Sequence, residues 1–177
     1  MTRTGMGFTL LELATTLAIA GVLAGVAIPG FDRLTRQWTV SRSAETLLTG
    51  LHEARSQAAT RQSPVVLCQN DAAAACSAGL TSAGWQVFAT THVTSPPRFA
   101  SGDALLTIHQ LPPGVTLQAT RAAVTFWPTP RSGSTSTFVV CDARRVARPR
   151  AVIVSQTGRP RLSLTAADGS ALQCAAP

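Results

Sequence analysis

An α+β fold, with one long N-terminal helix packed on an antiparallel β-sheet domain, follows from three features of the sequence. The first is an apolar run from Phe8 to Ile28. The second is a three- and four-residue apolar spacing that continues past this run to about Arg61. The third is a succession of short β-branched and aromatic runs beyond Pro64, punctuated by Pro, Gly, Ser and Asn. The chain therefore divides into a short polar leader (1–7), the long helix (8–61, with 8–28 its apolar part) and a β-rich globular domain (62–177) whose C-terminal region is basic.

The helix begins in a stretch made for lipid or for a tightly packed apolar bundle. Phe8 to Ile28 is about 21 residues, or about 31 Å as a helix, which matches a bilayer core. Its single charged residue is Glu12. A carboxylate costs roughly 2.5–3.5 kcal/mol at mid-bilayer and less near an end, so Glu12 needs a reason to be there. Arg3, the only charge before the run, favours a cytoplasmic N-terminus. A conventional signal peptide is a competing reading, but it is usually shorter and has no place for Glu12. A plain single-pass anchor has no need of the carboxylate either. Beyond Pro29-Gly30 the helical pattern resumes with Phe31, Leu34, Leu47, Leu48, Leu51, Ala54 and Ala58. Arg33, Arg36, Glu45, Glu53 and Arg55 fall between them. A bend is expected at Pro29, which lacks the N–H of the helical ladder.

The string Gly7-Phe8-Thr9-Leu10-Leu11-Glu12 resembles the processing site of type IV pilins and type II secretion pseudopilins. The resemblance implies cleavage after Gly7 by a prepilin peptidase, N-methylation of Phe8, and a role for Glu12 in assembly with other major and minor pilins. A carboxylate buried among apolar helices needs a cation, and the freed amine of Phe8 on a neighbouring subunit would supply one. The implied location is the inner membrane, single-pass with a periplasmic C-terminal domain, followed by incorporation into a pilus at the cell surface.

Strands are expected at 65–68, 85–91, 105–110, 115–118, 124–127, 138–141, 151–155 and 162–165, with loops at 92–103 and 128–136. Four cysteines, Cys68, Cys76, Cys141 and Cys174, all lie beyond the membrane segment. An even count in an exported domain points to disulfides. Three pairings are open. Cys68–Cys76 would close a small Ala-rich loop, and Cys141–Cys174 would tether the C-terminal tail. Zinc is the weaker alternative, because there is no Cys-x-x-Cys and no histidine cluster. No metal and no cofactor are expected. His52, His92 and His109 are scattered, and no hydrolase, zinc-protease or phosphate-loop motif accompanies them, so an enzyme is not expected.

The formal charge of +7 and pI of about 11.2 favour an anionic partner. Every basic residue is arginine. Arg144, Arg145, Arg148, Arg150, Arg159 and Arg161 fall within one segment containing no acid, and Arg-Pro-Arg occurs twice, at 148–150 and 159–161. Proline favours extension of the residue before it, and extended residues two apart share a side. Each Arg-Pro-Arg is thus expected to project two guanidinium groups together, suited to phosphate. From Asp142 to the end there is no aromatic residue on which single-stranded bases could stack. This points to double-stranded DNA held by phosphate contacts with little sequence preference.

Gln156-Thr157-Gly158-Arg159-Pro160-Arg161 also resembles the C-terminal Gly-Arg-x-Arg motif of FimT-type minor pilins, within the GspH/FimT family. The resemblance implies DNA capture for natural transformation, centred on Gly158, Arg159 and Arg161; the density of arginines around them makes Arg148, Arg150, Arg144 and Arg145 the expected further contacts. The alternatives are a minor pseudopilin of type II secretion, a minor pilin that primes assembly without DNA, and adhesion to acidic polymers. A solvated basic face with no ligand is the plainest reading, with Asp142 and Asp168 in surface ion pairs with some of the arginines.

Overall fold

Helix α1 runs from Leu10 to Arg61 as one element. The computed structural model describes residues 9–70, 76, 82–121, 123–129 and 134–175, without the side chains of residues 26–29 and 70. Two compact units make up the chain, Met1–Thr35 and Arg36–Pro177. In the first unit the helix is capped by Thr9, whose Oγ1 accepts the backbone N–H of Glu12 at 3.3 Å. Thr9 and Glu12 thus have the spacing of a capping box, a local reason for an acidic residue here beside any role in assembly. The described side chains from Leu10 to Gly25 are all exposed, and the helix is long and apolar enough to cross a membrane. Pro29 does not end the helix. The cleavage-site residues Gly7 and Phe8 lie outside the described residues.

In the second unit the helix carries a single apolar stripe. Val40, Ala44, Leu47, Leu51, Ala54 and Ala58 are fully buried, at the three- and four-residue steps that keep one face together. The helix stops where Gln62 takes a left-handed φ of 53°, with Pro64 two residues on. Gln62 Nε2 also donates to the Ala59 carbonyl, which has no helical partner of its own.

Among the described residues eight strands follow: β1 (Val65–Asn70), β2 (Gly84–Ala89), β3 (Ala104–Gln110), β4 (Val115–Ala119), β5 (Ala123–Phe126), β6 (Ser136–Asp142), β7 (Arg150–Val154) and β8 (Pro160–Ser163). They form two four-stranded sheets, ordered β3-β2-β1-β5 and β4-β6-β7-β8. All their pairings are antiparallel. β4 and β5 part company, β4 joining the second sheet and β5 returning to the first. Ser82 and Leu117 bridge the sheets by a reciprocal pair of backbone hydrogen bonds of 2.9 and 3.2 Å.

One apolar core joins the helix stripe to both sheets. Val65, Leu67, Trp85, Val87, Val124 and Phe126 come from the first, and Leu117, Phe138, Val140, Val152 and Val154 from the second. On the other face of the first sheet Val66, Cys68 and Phe88 form a small second cluster. Burial on both faces explains why β1 and β2 read as unbroken runs rather than alternating ones. Cys68 is disulfide-bonded to Cys76, and Cys141 to Cys174. The second bond ties the C-terminal segment to β6, and the Ala175 N–H also reaches Gln118 Oε1 on the neighbouring β4 at 3.0 Å.

Leu51 sits in the helix stripe with no exposure. Leu51→Ala is expected to lower the unfolding free energy by about 2–5 kcal/mol through lost burial and the cavity left behind. Exposed Thr49→Ala on the same helix should stay within about 0.5 kcal/mol. Denaturant melts of the two variants check the difference.

Candidate nucleic-acid interface

The two Arg-Pro-Arg segments bracket β7, and the structure treats them differently. The second begins at the β7–β8 turn, a three-residue hairpin loop. The Gly158 N–H donates to the Ser155 carbonyl at 2.8 Å, and the Ser155 N–H to the Arg159 carbonyl at 3.2 Å. Gly158 has a φ of 71°, the left-handed residue that closes a bulged hairpin of this length. A Cβ here would meet only the Phe126 ring, at an ordinary 3.6 Å. The need for glycine therefore comes from the backbone and not from crowding. Ser155 Oγ completes the turn by accepting the Arg159 N–H at 3.2 Å.

β8 starts two residues earlier than the strand pattern suggested, so Arg161 lies inside it. Pro160 pairs with core residue Val154, and Arg161 with Ile153. Paired residues share a face, so Pro160 turns inward, where it is buried, and Arg161 turns to the opposite face of the sheet. Arg159 and Arg161 are both exposed.

The first Arg-Pro-Arg departs from the expectation that its two guanidinium groups project together. Arg150 lies within β7 opposite core residue Val140, on the helix-facing side of the sheet. It is half-buried, and its Nε is enclosed with no hydrogen-bond partner. Arg148 is exposed, and its backbone is clamped from the helix: the Gln37 Oε1 accepts its N–H at 2.8 Å and the Gln37 Nε2 donates to its carbonyl at 3.3 Å. Register puts Arg150 and Arg161 on opposite faces of one sheet.

Arg144 and Arg145 are exposed on the turn between β6 and β7. That turn is organised by Asp142, which is buried and so is no surface partner of the basic segment. Asp142 accepts backbone N–H groups from Val146 at 2.9 Å, Ala147 at 3.2 Å and Arg144 at 3.4 Å, and its cationic partner is Arg36 on the helix at 3.3 Å. Burial alone would raise its pKa. The N–H groups of Ala147, Val146 and Arg144, with the Arg36 charge, outweigh burial and hold the carboxyl below its ordinary 3.8. Arg145 takes a left-handed φ of 57° in this turn. Asp168 is also held low, chiefly by the Ser170 hydroxyl and then its N–H. Among the described residues, none of Arg144, Arg145, Arg148, Arg150, Arg159 and Arg161 is ion-paired to an acid.

Two contributors escaped the sequence reading. Ser155 begins a Ser-x-x-Gly turn, a signal that was present. Arg55 Nη1 reaches across from the helix to the Gly158 carbonyl at 3.4 Å, a contact between residues far apart in sequence with no local signature. Of the histidines, His109 stacks on Trp85 with ring centroids 4.2 Å apart, and burial lowers its pKa. His52 and His92 are exposed elsewhere.

Residues 43–158 match the family model of the type II transport protein GspH. The type IV minor pilin FimU of Pseudomonas aeruginosa has a similar fold in two crystal forms. One is 21% identical over 70% of this chain and 91% of FimU, with a TM-score of 0.50. The other is 20% identical over 73% of this chain and 92% of FimU, with a TM-score of 0.51. No curated protein sequence matches the chain.

Asp142 gives this region a pH signature. Its folded pKa is depressed, so its contribution to stability is complete above the ordinary 3.8 and disappears as the pH falls through the lower folded value. Asp142→Asn should cost about 1–3 kcal/mol at neutral pH, from donors left unsatisfied. It should also flatten the acid limb of the stability profile. Denaturant melts of both proteins from pH 7 downward check this.

Proposed function

Because the chain belongs to the GspH family, which its family-model match establishes, we propose that it is a minor type IV pilin that binds double-stranded DNA through its β7–β8 turn for uptake in natural transformation. The observation that carries the reading is the turn itself. A left-handed Gly158 closes it, and the exposed pair Arg159 and Arg161 leaves it with no carboxylate partner among the described residues. Two guanidinium groups so displayed suit adjacent phosphates, each fork giving parallel hydrogen bonds to two oxygens. The family match ends at Gly158, so membership alone does not carry the arginine pair. That part of the reading rests on this chain's own residues.

Arg148, Arg144 and Arg145 are exposed and would widen the footprint. Arg150, half-buried on the helix side, would act mainly through the field it adds. In the same reading a prepilin peptidase cuts after Gly7, Phe8 is methylated, and residues 8–28 anchor the chain in the inner membrane. The globular domain then faces the periplasm, and Glu12 meets the amine of a neighbouring pilin on assembly. The description of the matching family as a type II transport protein favours a second reading, a minor pseudopilin that binds no DNA. Both readings share the N-terminal segment, so the arginines separate them.

With the full chain in neutral detergent, Arg159→Ala combined with Arg161→Ala is expected to weaken binding to any duplex alike. The salt slope should flatten by about 1.8, from about 0.9 per phosphate contact. Anisotropy titrations at several salt concentrations read both quantities. A folded double variant that binds as the parent does moves the site elsewhere, and a parent that does not bind favours the pseudopilin.

Processing has its own test. Gly7→Val should leave uncut precursor in the membrane, whereas Glu12→Ala should be cut and fail to assemble. N-terminal sequencing and fractionation distinguish the two, and cleavage at another bond would contradict the assignment.

A further inference from the structure

We propose that Arg55, on helix α1, is a third phosphate-gripping arginine at the β7–β8 turn, so that the DNA surface joins the helix to the hairpin. The inference rests on the reading of Arg159 and Arg161 as DNA contacts. The peptide unit joining Gly158 to Arg159 is held at both its polar atoms. Its carbonyl oxygen accepts from Arg55 Nη1 at 3.4 Å, and its N–H donates to Ser155 Oγ at 3.2 Å. That peptide sets the direction in which the Arg159 side chain leaves the backbone, so Arg55 stands directly beside the point where the arginine pair begins.

A guanidinium carries five N–H donors, and the contact with Gly158 uses one. Arg55 is exposed, which leaves the rest of its fork open to a ligand. Its charge is not neutralised along the helix. The residues three and four positions away are Leu51, His52, Ala58 and Ala59, none of them acidic. Glu53 is the nearest carboxylate in sequence, but two residues on a helix diverge by about 200°. Glu53 accordingly lines a cleft on the side of Trp85 and Leu106 in the first sheet, while Arg55 reaches Gly158 beside the second. Among the described residues Arg55 has no ion pair. Its hydrogen bond to a neutral carbonyl leaves the full positive charge in place, beside the backbone that carries Arg159 and Arg161.

A purely structural tether and a phosphate contact differ in one readout, the salt dependence. The full chain in neutral detergent is titrated with a random-sequence duplex, comparing the parent, Arg55→Ala, Arg55→Lys and the Arg159→Ala/Arg161→Ala double variant. Arg55→Ala should weaken binding and flatten the log–log salt slope by about 0.9, one contact's worth. Arg55→Lys keeps the charge and should keep the slope. Arg55 is exposed, so near-UV circular dichroism should match among all variants. If the double variant loses affinity while Arg55→Ala keeps the parent's affinity and slope, the helix contact is wrong and the arginine pair stands. If Arg55→Ala weakens binding with an unchanged slope, Arg55 only tethers the turn and the proposal fails. If the parent does not bind the duplex, both readings fall together.

Discussion

The apolar stripe of α1 between Val40 and Ala58 is the contact on which the rest of the globular unit depends. Each four-stranded sheet has a face that must be covered, and the same helix covers both. The sheets also meet directly, at the Ser82–Leu117 bridge and where Gln69 Nε2 of β1 donates to the Leu117 carbonyl of β4 at 3.4 Å. Small side chains make the close fit possible: Ala44 on one side and Ala54 and Ala58 on the other flank Leu47 and Leu51 along the stripe. Gly50 belongs to the same design, because a Cβ there would stand 3.3 Å from Trp85 Nε1, tighter than ordinary packing. The helix is thereby a common frame for both sheets. Gln37 and Arg55 extend from that frame to opposite ends of β7, so the packing of the stripe also positions the two basic segments.

The basic surface keeps its charge in part because Asp142, the acid just before its first arginines, is turned inward. Asp142 closes β6 and would be the obvious counter-ion for the arginines that follow it. Instead its carboxylate is occupied by three backbone N–H groups and by Arg36. A buried carboxylate so satisfied organises the turn that displays Arg144 and Arg145 without neutralising either of them. The usual use of a surface acid, a weak screened pair with a neighbouring arginine, is thereby withheld from this region. What remains is a set of arginines, most of them exposed, with no acid paired to them among the described residues. Their mutual repulsion is tolerable only in solvent or against an anion, and this is the electrostatic condition a polyanion-binding surface needs.

Most elements were legible because they depend on local pattern. All eight strands lie where β-branched runs and turn residues place them, within about two residues at each end, the usual uncertainty of such boundaries. The helix follows its three- and four-residue spacing to Arg61, and the disulfide pairs are those that close the short loop and tie down the tail. The division into two sheets was not legible. β4 and β5 are adjacent in sequence and similar in composition, and only long-range packing sends them to different sheets. The two Arg-Pro-Arg segments show the same limit within the site. In sequence they are equivalent, yet strand register turns Arg150 towards the helix and Arg161 away from it. Asp142 read as a surface residue because nothing local announces a carboxylate that will be buried by a helix more than a hundred residues earlier in the chain.

The separation of scaffold from display bears on how such a chain acquires a binding role. The family match covers the helix from Ser43 and the strands as far as Gly158, the part whose residues are constrained by the shared core. Arg159 and Arg161 lie just beyond it on an edge hairpin, and exposed arginines at such a position scarcely affect folding. A turn that needs only a left-handed glycine and a serine can carry almost any side chain at its outward positions. Function can then be placed there without disturbing the core. The same reasoning explains why phosphate, rather than a base edge, is the ligand suited to this surface. A short hairpin tip with no aromatic residue of its own offers charge and forked donors, with no platform for stacking and nothing shaped to enter a groove. On the proposed reading such a surface would respond to a charged backbone and not to its sequence, as capture of DNA from any source requires.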